Sequence, residues 1–552
     1  MRTTARLLFS LFALLLCLAC GEAYEGAGRD MPPVTEPCAT DGDCPTGLVC
    51  RERACVADDD VPPETPDPRT FLPPASTASR VFALSPDGNV VSVIDPRALA
   101  VQSIPLPAEP LAMSVLPGEE AIVVLSRAGG AISLLSFDDA PRLSIAPLPR
   151  RLSSLSLAPD GSWALAWTRD GEPLDSGVEG AVVLADLAAV RRGEAAAVVE
   201  RVAGRRHTDV FFRSVGGAAR DAVVVGKEEI AVFDLEDPAD PGSLVRIELP
   251  AAFAEIATRR VAATGDGAFV LLASVASQDL LVLDVSSRSL RTLPLPGAPT
   301  DLAVSADGGT AVLALRTTSR AAWLPLPAAL DDPSAIRQVD VSLPGSVCES
   351  PGCTVAPGQV RLSADGAFAL LFTTAQRTES FGRLDLVTGA WTTYERLRKE
   401  VRTVAIAPTG THAIVIHEPR PDSTDADPYE REVDRAHGYS VVTLVGGASQ
   451  LVVTGDVPPV DAVFAPGTRW AGVTLRGDAG KVFRVDAVDL ETLMAAPLPL
   501  PSAPEWAGPL ATPLEGKIWV TQKHPAGRIS FVDLEARTSR TITGYELNGE
   551  IE

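Results

Sequence analysis

From about residue 80 onward, short apolar runs alternate with turn signals, and no helical period of comparable strength interrupts them. The turns fall at Asp87-Gly88, Pro117-Gly118, Asp160-Gly161, Gly216-Gly217, Asp266-Gly267, Asp307-Gly308, Asp365-Gly366, Thr409-Gly410, Pro466-Gly467 and Glu515-Gly516. They recur roughly every 48 residues, within the range of propeller-blade repeats. A short run such as DLAVS (301–305) precedes the turn, and one such as AVLAL (311–315) follows it. A third run ends in an acid, as in VSVID (91–95) and LLVLD (280–284). A fourth often ends in Pro-Leu-Pro, as in QSIPLP (102–107) and RTLPLP (291–296). Such β-branched and apolar runs predict strands joined by hairpin turns. Candidate helices are short, for example DLAAVRR (186–192).

Four antiparallel strands per unit, repeated, predict an all-β fold: a β-propeller of four-stranded blades. The unalternated central runs fit strands buried on both faces. The string SPDGNVVSVID (85–95), with AVQSIPLP after it, resembles the YVTN-type propeller repeats of surface proteins. The repeat predicts about seven to ten blades, in one ring or in two fused propellers. The first unit starts at its second strand, Val81–Leu84, so the C-terminal run TITGYELNGEIE (541–552) is expected to complete it and close the ring.

The N-terminal part departs from this pattern. Arg2 and Arg6 precede the apolar run LLFSLFALLLCLA (7–19), which is too short to span a bilayer and reads as an export leader. The run ends in Ala19-Cys20-Gly21, which resembles the lipobox of bacterial lipoproteins. That resemblance implies that Cys20 becomes the mature N-terminus and the lipid attachment site, carrying palmitate-type acyl chains. Two acyl chains plus an acylated amine would hold the membrane firmly. Glu22 in place of Asp favours the outer over the inner membrane, facing periplasm or cell surface.

Next comes CATDGDCPTGLVCRERAC (38–55), with Cys38, Cys44, Cys50 and Cys55 in eighteen residues. So short a segment cannot build an apolar core, and crosslinks must supply its order. Three pairings exist; Cys38–Cys50 with Cys44–Cys55 is preferred, because interlaced loops define the most compact knot. Zinc is the competing reading, but the spacing is not the usual short C-x2-C. The module resembles small, loosely EGF-like modules near the N-termini of myxobacterial lipoproteins. Cys348 and Cys353 in CESPGC predict a further small disulfide. The expected organisation is a leader (1–19), a tether (20–37), the cysteine module (38–55), a Pro-rich acidic spacer (56–79) and the propeller (80–552).

Composition adds one exclusion. The chain of 552 residues carries 71 Asp plus Glu against 48 Lys plus Arg, a formal net charge of −23. Such a surface repels phosphate backbones, so nucleic acid is not an expected partner.

Candidate chemistry is sparse. The turn aspartates could suggest a metal, but the turn persists at Pro117-Gly118 and Thr409-Gly410 without an acid, so Asp-Gly reads as hairpin punctuation. The strand-end acids Asp95, Asp234, Asp284, Asp385 and Asp533 read as partners of nearby amides. Asp422, Asp425 and Asp427 in the acidic insertion 419–434 could offer oxygens to calcium, but the central Gly and closing Glu of a calcium loop are missing. A solvated loop is the preferred reading. His412 and His417 lie five apart in one strand and so point to opposite faces; with His207, His437 and His524 they form no recognisable triad or metal motif. Arg476-Gly477-Asp478 matches an integrin-binding tripeptide but fits a turn better, and the seven tryptophans read as packing.

No catalytic residue, cofactor or metal is therefore assigned. The preferred reading is an exported, lipid-anchored binding or scaffolding propeller for a protein or glycan of the envelope. The other class is a propeller enzyme, lactonase-like or quinoprotein-like, with its site at the central channel.

Overall fold

A computed structural model describes residues 48–51, 54–57, 69–137, 140–172, 179–194, 197–345, 353–395, 397–511, 514, 516–545 and 550–551. The expectations for Cys20, Cys38, Cys44 and Cys348 lie outside the described residues. The chain divides into two units, residues 1–66 and 67–552. In the first, strands Leu48–Arg51 and Ala54–Ala57 pair antiparallel, with Cys50 opposite Cys55 in the register.

The second unit is a β-propeller of ten blades, each a sheet of consecutive antiparallel strands. Blades 1 to 10 begin with the strands Ala75–Ser76, Pro110–Val115, Ser154–Leu157, Asp209–Val215, Arg259–Ala263, Asp301–Val304, Gln359–Leu362, Glu400–Ile406, Pro459–Phe464 and Pro504–Pro509. These first strands approach one another between neighbouring blades and form the inner wall of the ring. Second and third strands are buried along their whole length, as in Ala121–Ser126 and Ala131–Ser136, because a neighbouring blade covers each face. Fourth strands such as Ala100–Pro105 alternate exposed and covered positions, which marks them as the outer rim.

One closed ring, rather than two fused ones, follows from the packing. Ten apolar clusters are found, each filling one junction between successive blades. The closing cluster joins Val81, Ala83 and Ile94 of blade 1 to Trp519, Ile529, Phe531 and Ile542 of blade 10. Each such large buried side chain contributes roughly 1.5–3 kcal/mol by leaving water.

Closure does not use an exchanged strand. Blade 1 supplies its own first strand, Ala75–Ser76, paired with Val81–Ser85. Of the run 541–552 expected to complete it, residues 541–543 belong instead to the fourth strand of blade 10, Thr538–Thr543, and Glu550–Ile551 adds a fifth strand to that blade. Residues 69–79, expected in the spacer, lie on the ring because Phe71 and Leu72 are apolar. Phe71 meets Tyr545 edge-on at 5.1 Å between centroids, and Leu72 packs at the junction of blades 1 and 2.

The repeat turns are structural. Nine of the ten join the first strand of a blade to its second. In blade 1, SPDGN joins the second strand to the third, and Asn89, not Gly88, takes the positive φ of 51°. Asp160, Asp266, Asp307 and Asp365 each accept from the amide two residues on, at 2.9–3.1 Å. The strand-end acids behave alike: Asp95 accepts from the amides of Arg97 and Ala98, and Asp284 from those of Ser286 and Ser287. Each carboxylate satisfies backbone donors that the turn leaves open.

Candidate functional site: the cleft-bearing face of the ring

In a four-stranded antiparallel blade, the loop entering the first strand and the loop between second and third strands lie at the same end. Four clefts among the described residues open at that end. One lies over blades 3 and 4 beside Arg151, Arg169 and His207, and a second beside Arg205, Lys227 and Arg246. A third, of about 420 Å³, spans blades 5 to 7. A fourth, of about 430 Å³, lies over blades 7 and 8. Loop residues 168–172 and 179–180 of blade 3, 353–358 leading into blade 7, and the whole insertion 419–436 of blade 8 share this end. Binding surfaces on rigid scaffolds are commonly built from such loops.

The electrostatics of this face differ from those of the whole chain. Twelve cationic and eight acidic side chains line the four clefts, whereas the chain carries 48 against 71. The imbalance is greatest over blades 5 to 7, where Arg260, Arg316 and Arg361 face a single acid, Asp301. Asp301 Oδ2 accepts from the Val360 amide at 3.0 Å, and its two oxygens stand 3.7 Å from the Arg260 and Arg361 guanidinium groups.

The acidic insertion of blade 8 is not a solvated loop. It carries α1 (Pro428–Arg435), started by Asp427, whose carboxylate accepts from the Tyr429 amide at 2.9 Å. Lys399, 1% exposed, clamps the far end by donating from Nζ to the Val433 and Asp434 carbonyls at 2.6 and 3.0 Å. A cation at a helix C-terminus meets the negative end of the peptide dipoles. Burial nevertheless pulls the Lys399 ammonium down to about 8. Burial also raises Glu379 and Glu400 above the usual carboxylate range, although Arg420 lies 3.7 and 3.6 Å from them. Outside this cluster, Arg398 grips Glu430 at 2.7 and 2.9 Å. Asp425 accepts from the Asp427 amide, and Ser423 donates to Asp434, so these groups organise the loop itself. Among the described residues, no three His, Cys, Asp or Glu side chains gather as metal ligands.

The histidines separate as the strand alternation requires. His417 is buried, with Nδ1 at 3.1 Å from the Glu400 carbonyl and Nε2 at 2.7 Å from Ser440 Oγ. Burial pulls its pKa down to about 3, so it is neutral. The Ser440–His417 pair has the spacing of a nucleophile and its base, but both side chains are 1% exposed and the third partner is a carbonyl. Such a pair meets no substrate and stitches the first, second and third strands of blade 8 together. His207 is likewise buried against the Ala203 carbonyl. Arg476 and Asp478 of the tripeptide pair with each other at 2.9 Å.

No family model matches the chain, and no curated protein matches it. Solved structures similar in fold include a eukaryotic initiation factor (12% identity over 73% of this chain and 91% of that one, TM-score 0.44). A dihydro-heme d1 dehydrogenase, NirN, is similar at 13% identity over 71% and 81%, with a TM-score of 0.38. A streptogramin B lyase is similar at 11% identity over 64% and 91%, with a TM-score of 0.27. These scores fall below 0.5 and carry nothing about function; the ten-bladed ring stands on its own strand pairing and packing.

Proposed function

We propose that this chain is an exported, lipid-anchored propeller of the cell envelope that binds a protein or glycan ligand through its cleft-bearing face, without catalysis of its own. One observation carries the reading: the four clefts, the 419–436 insertion and the cationic excess gather at one end of the ring. The opposite end consists mainly of short turns whose acids are occupied by backbone amides. The leader, the lipobox-like Cys20, the cysteine module and the spacer support an anchored position of the kind seen in YVTN-like and myxobacterial-type lipoproteins. A channel-centred enzyme is less well supported, since the two most buried histidines are held by carbonyls and a serine inside blades 3, 4 and 8. Fold alone does not choose between binding and catalysis.

Two measurements test the reading on the full-length chain. Cys20→Ser should move the protein from the detergent-dependent to the soluble fraction; unchanged detergent dependence refutes anchoring. Labelled protein should bind isolated envelope saturably. Arg151→Glu combined with Arg205→Glu, on the cleft-bearing face, should weaken that binding, and Arg97→Glu at an opposite turn should not. Equal effects from both faces, or no saturable binding, would overturn the proposed face.

A further inference from the structure

We infer that the cleft over blades 5 to 7 is a subsite for a compact ligand bearing one oxyanionic group, a carboxylate or a phosphate or sulfate monoester. This inference rests on the cleft-bearing face being the binding face, and it names the chemistry that the face selects.

Three guanidinium groups enter the cleft from three successive blades. Arg260 and Arg361 sit on the first strands of blades 5 and 7, and Arg316 directly follows the second strand of blade 6. Both strand arginines are half exposed. Asp301 lies between them but is fixed by the Val360 amide and touches neither guanidinium at hydrogen-bond distance. One carboxylate therefore offsets one of three positive charges. The Arg316 side chain is exposed and, among the described residues, its guanidinium makes no hydrogen bond or ion pair. Its stem lies across Gly358: a Cβ at that position would stand 3.2 Å from Arg316 Cδ. The Gly358 carbonyl is held in turn by the Thr300 hydroxyl at 2.9 Å.

Planar guanidinium forks match the oxygens of carboxylate, phosphate and sulfate, and charge-assisted bonds to them are about twice as strong as neutral ones. Gln359 and Thr374, bonded to each other at 3.1 Å, add neutral donors and acceptors on the same wall. The volume of about 420 Å³ suits a ligand of one or two sugar-sized units. The net charge of −23 sets the upper limit on ligand charge. A long polyanion would meet repulsion from the rest of the surface, while a single anionic group would feel chiefly the local excess, because salt screens charges beyond about 8 Å.

The test is calorimetric titration of the full-length chain in detergent at constant ionic strength, with glucuronate, glucose 6-phosphate and glucose as probes. Saturable binding of glucuronate or glucose 6-phosphate is expected, and which of the two binds more tightly distinguishes a carboxylate from a phosphoryl source. Glucose should bind at least about ten-fold more weakly, the equivalent of one lost charge-assisted contact. Arg316→Gln should weaken the anionic probe by about ten-fold or more with unchanged thermal stability, since among the described residues the guanidinium makes no hydrogen bond or ion pair. Absence of saturable binding by both anions, equal binding of glucose, or indifference to both Arg316→Gln and Arg361→Gln would overturn the inference. If envelope binding persists through such a failure, the binding face stands and only this subsite falls; if both are lost, the proposed function falls with it.

Discussion

Replacing Lys399 by Met should remove a specific pH dependence of stability. The ammonium is fully buried at the end of α1, and its pKa falls from the ordinary 10.5 to about 8. At 1.36 kcal/mol per unit, that drop corresponds to about 3 kcal/mol. Below pH 8, Lys399 is protonated in the folded and the unfolded chain, so it adds no slope. Between pH 8 and 10.5 the unfolded chain still binds the proton while the folded chain has released it. The unfolded state therefore binds more protons, and folded stability rises with pH across that window. Other titrating groups, including the buried tyrosines, are common to both proteins and cancel in the difference. Urea unfolding followed by tryptophan fluorescence at a series of pH values should show the native chain gaining about 3 kcal/mol on Lys399→Met between pH 8 and 10.5. Parallel stability curves across that window would refute the buried, helix-capping position of this ammonium.

Two further substitutions probe the packing. A Cβ on Gly382 would enter the Trp391 indole within blade 7, so Gly382→Ala should lower stability by roughly 1–3 kcal/mol through overpacking, read as a fall in urea midpoint; an unchanged midpoint contradicts the strand register there. Tyr439 donates to Asp486 Oδ2 at 3.0 Å across the junction of blades 8 and 9, where burial holds the carboxyl above its usual range. Tyr439→Phe should cost roughly 1–3 kcal/mol by leaving that oxygen without its hydroxyl, and thermal unfolding would expose a neutral outcome.

Much of the ring was legible because blade packing leaves a strong local mark. Second and third strands are covered on both faces, so AVLAL and LLVLD carry no polar alternation and stand out. The positions of these strands within a blade were less legible. SPDGN has the same turn chemistry as SADGG, yet it joins a different pair of strands, because a hairpin turn records φ angles and not its place in the sheet. The first strand of blade 1 has two residues, too few for any pattern, which is why the C-terminal run was expected to replace it.

The site was harder to read for a related reason. Arg260, Arg316 and Arg361 are separated by 45 to 56 positions in the chain and meet only when three blades stand side by side. Aligning the repeats by their first strands is the one signal that could have brought them together. The helix in the blade 8 insertion did have a local sign: Asp427, then Pro428, then Glu430 three places after the Asp, a start signal for a helix. Lys399 had none, since LRKE reads like any charged loop until burial is known.

The central claim is a single closed ring of ten blades with its clefts at one end, and electron cryomicroscopy of the full-length chain in detergent tests it most directly. Class averages viewed down the axis should show ten radial spokes around one channel, with blade 10 packed against blade 1. Seven or eight spokes with separate residual density, two smaller rings, or a gap between the first and last blades would contradict it.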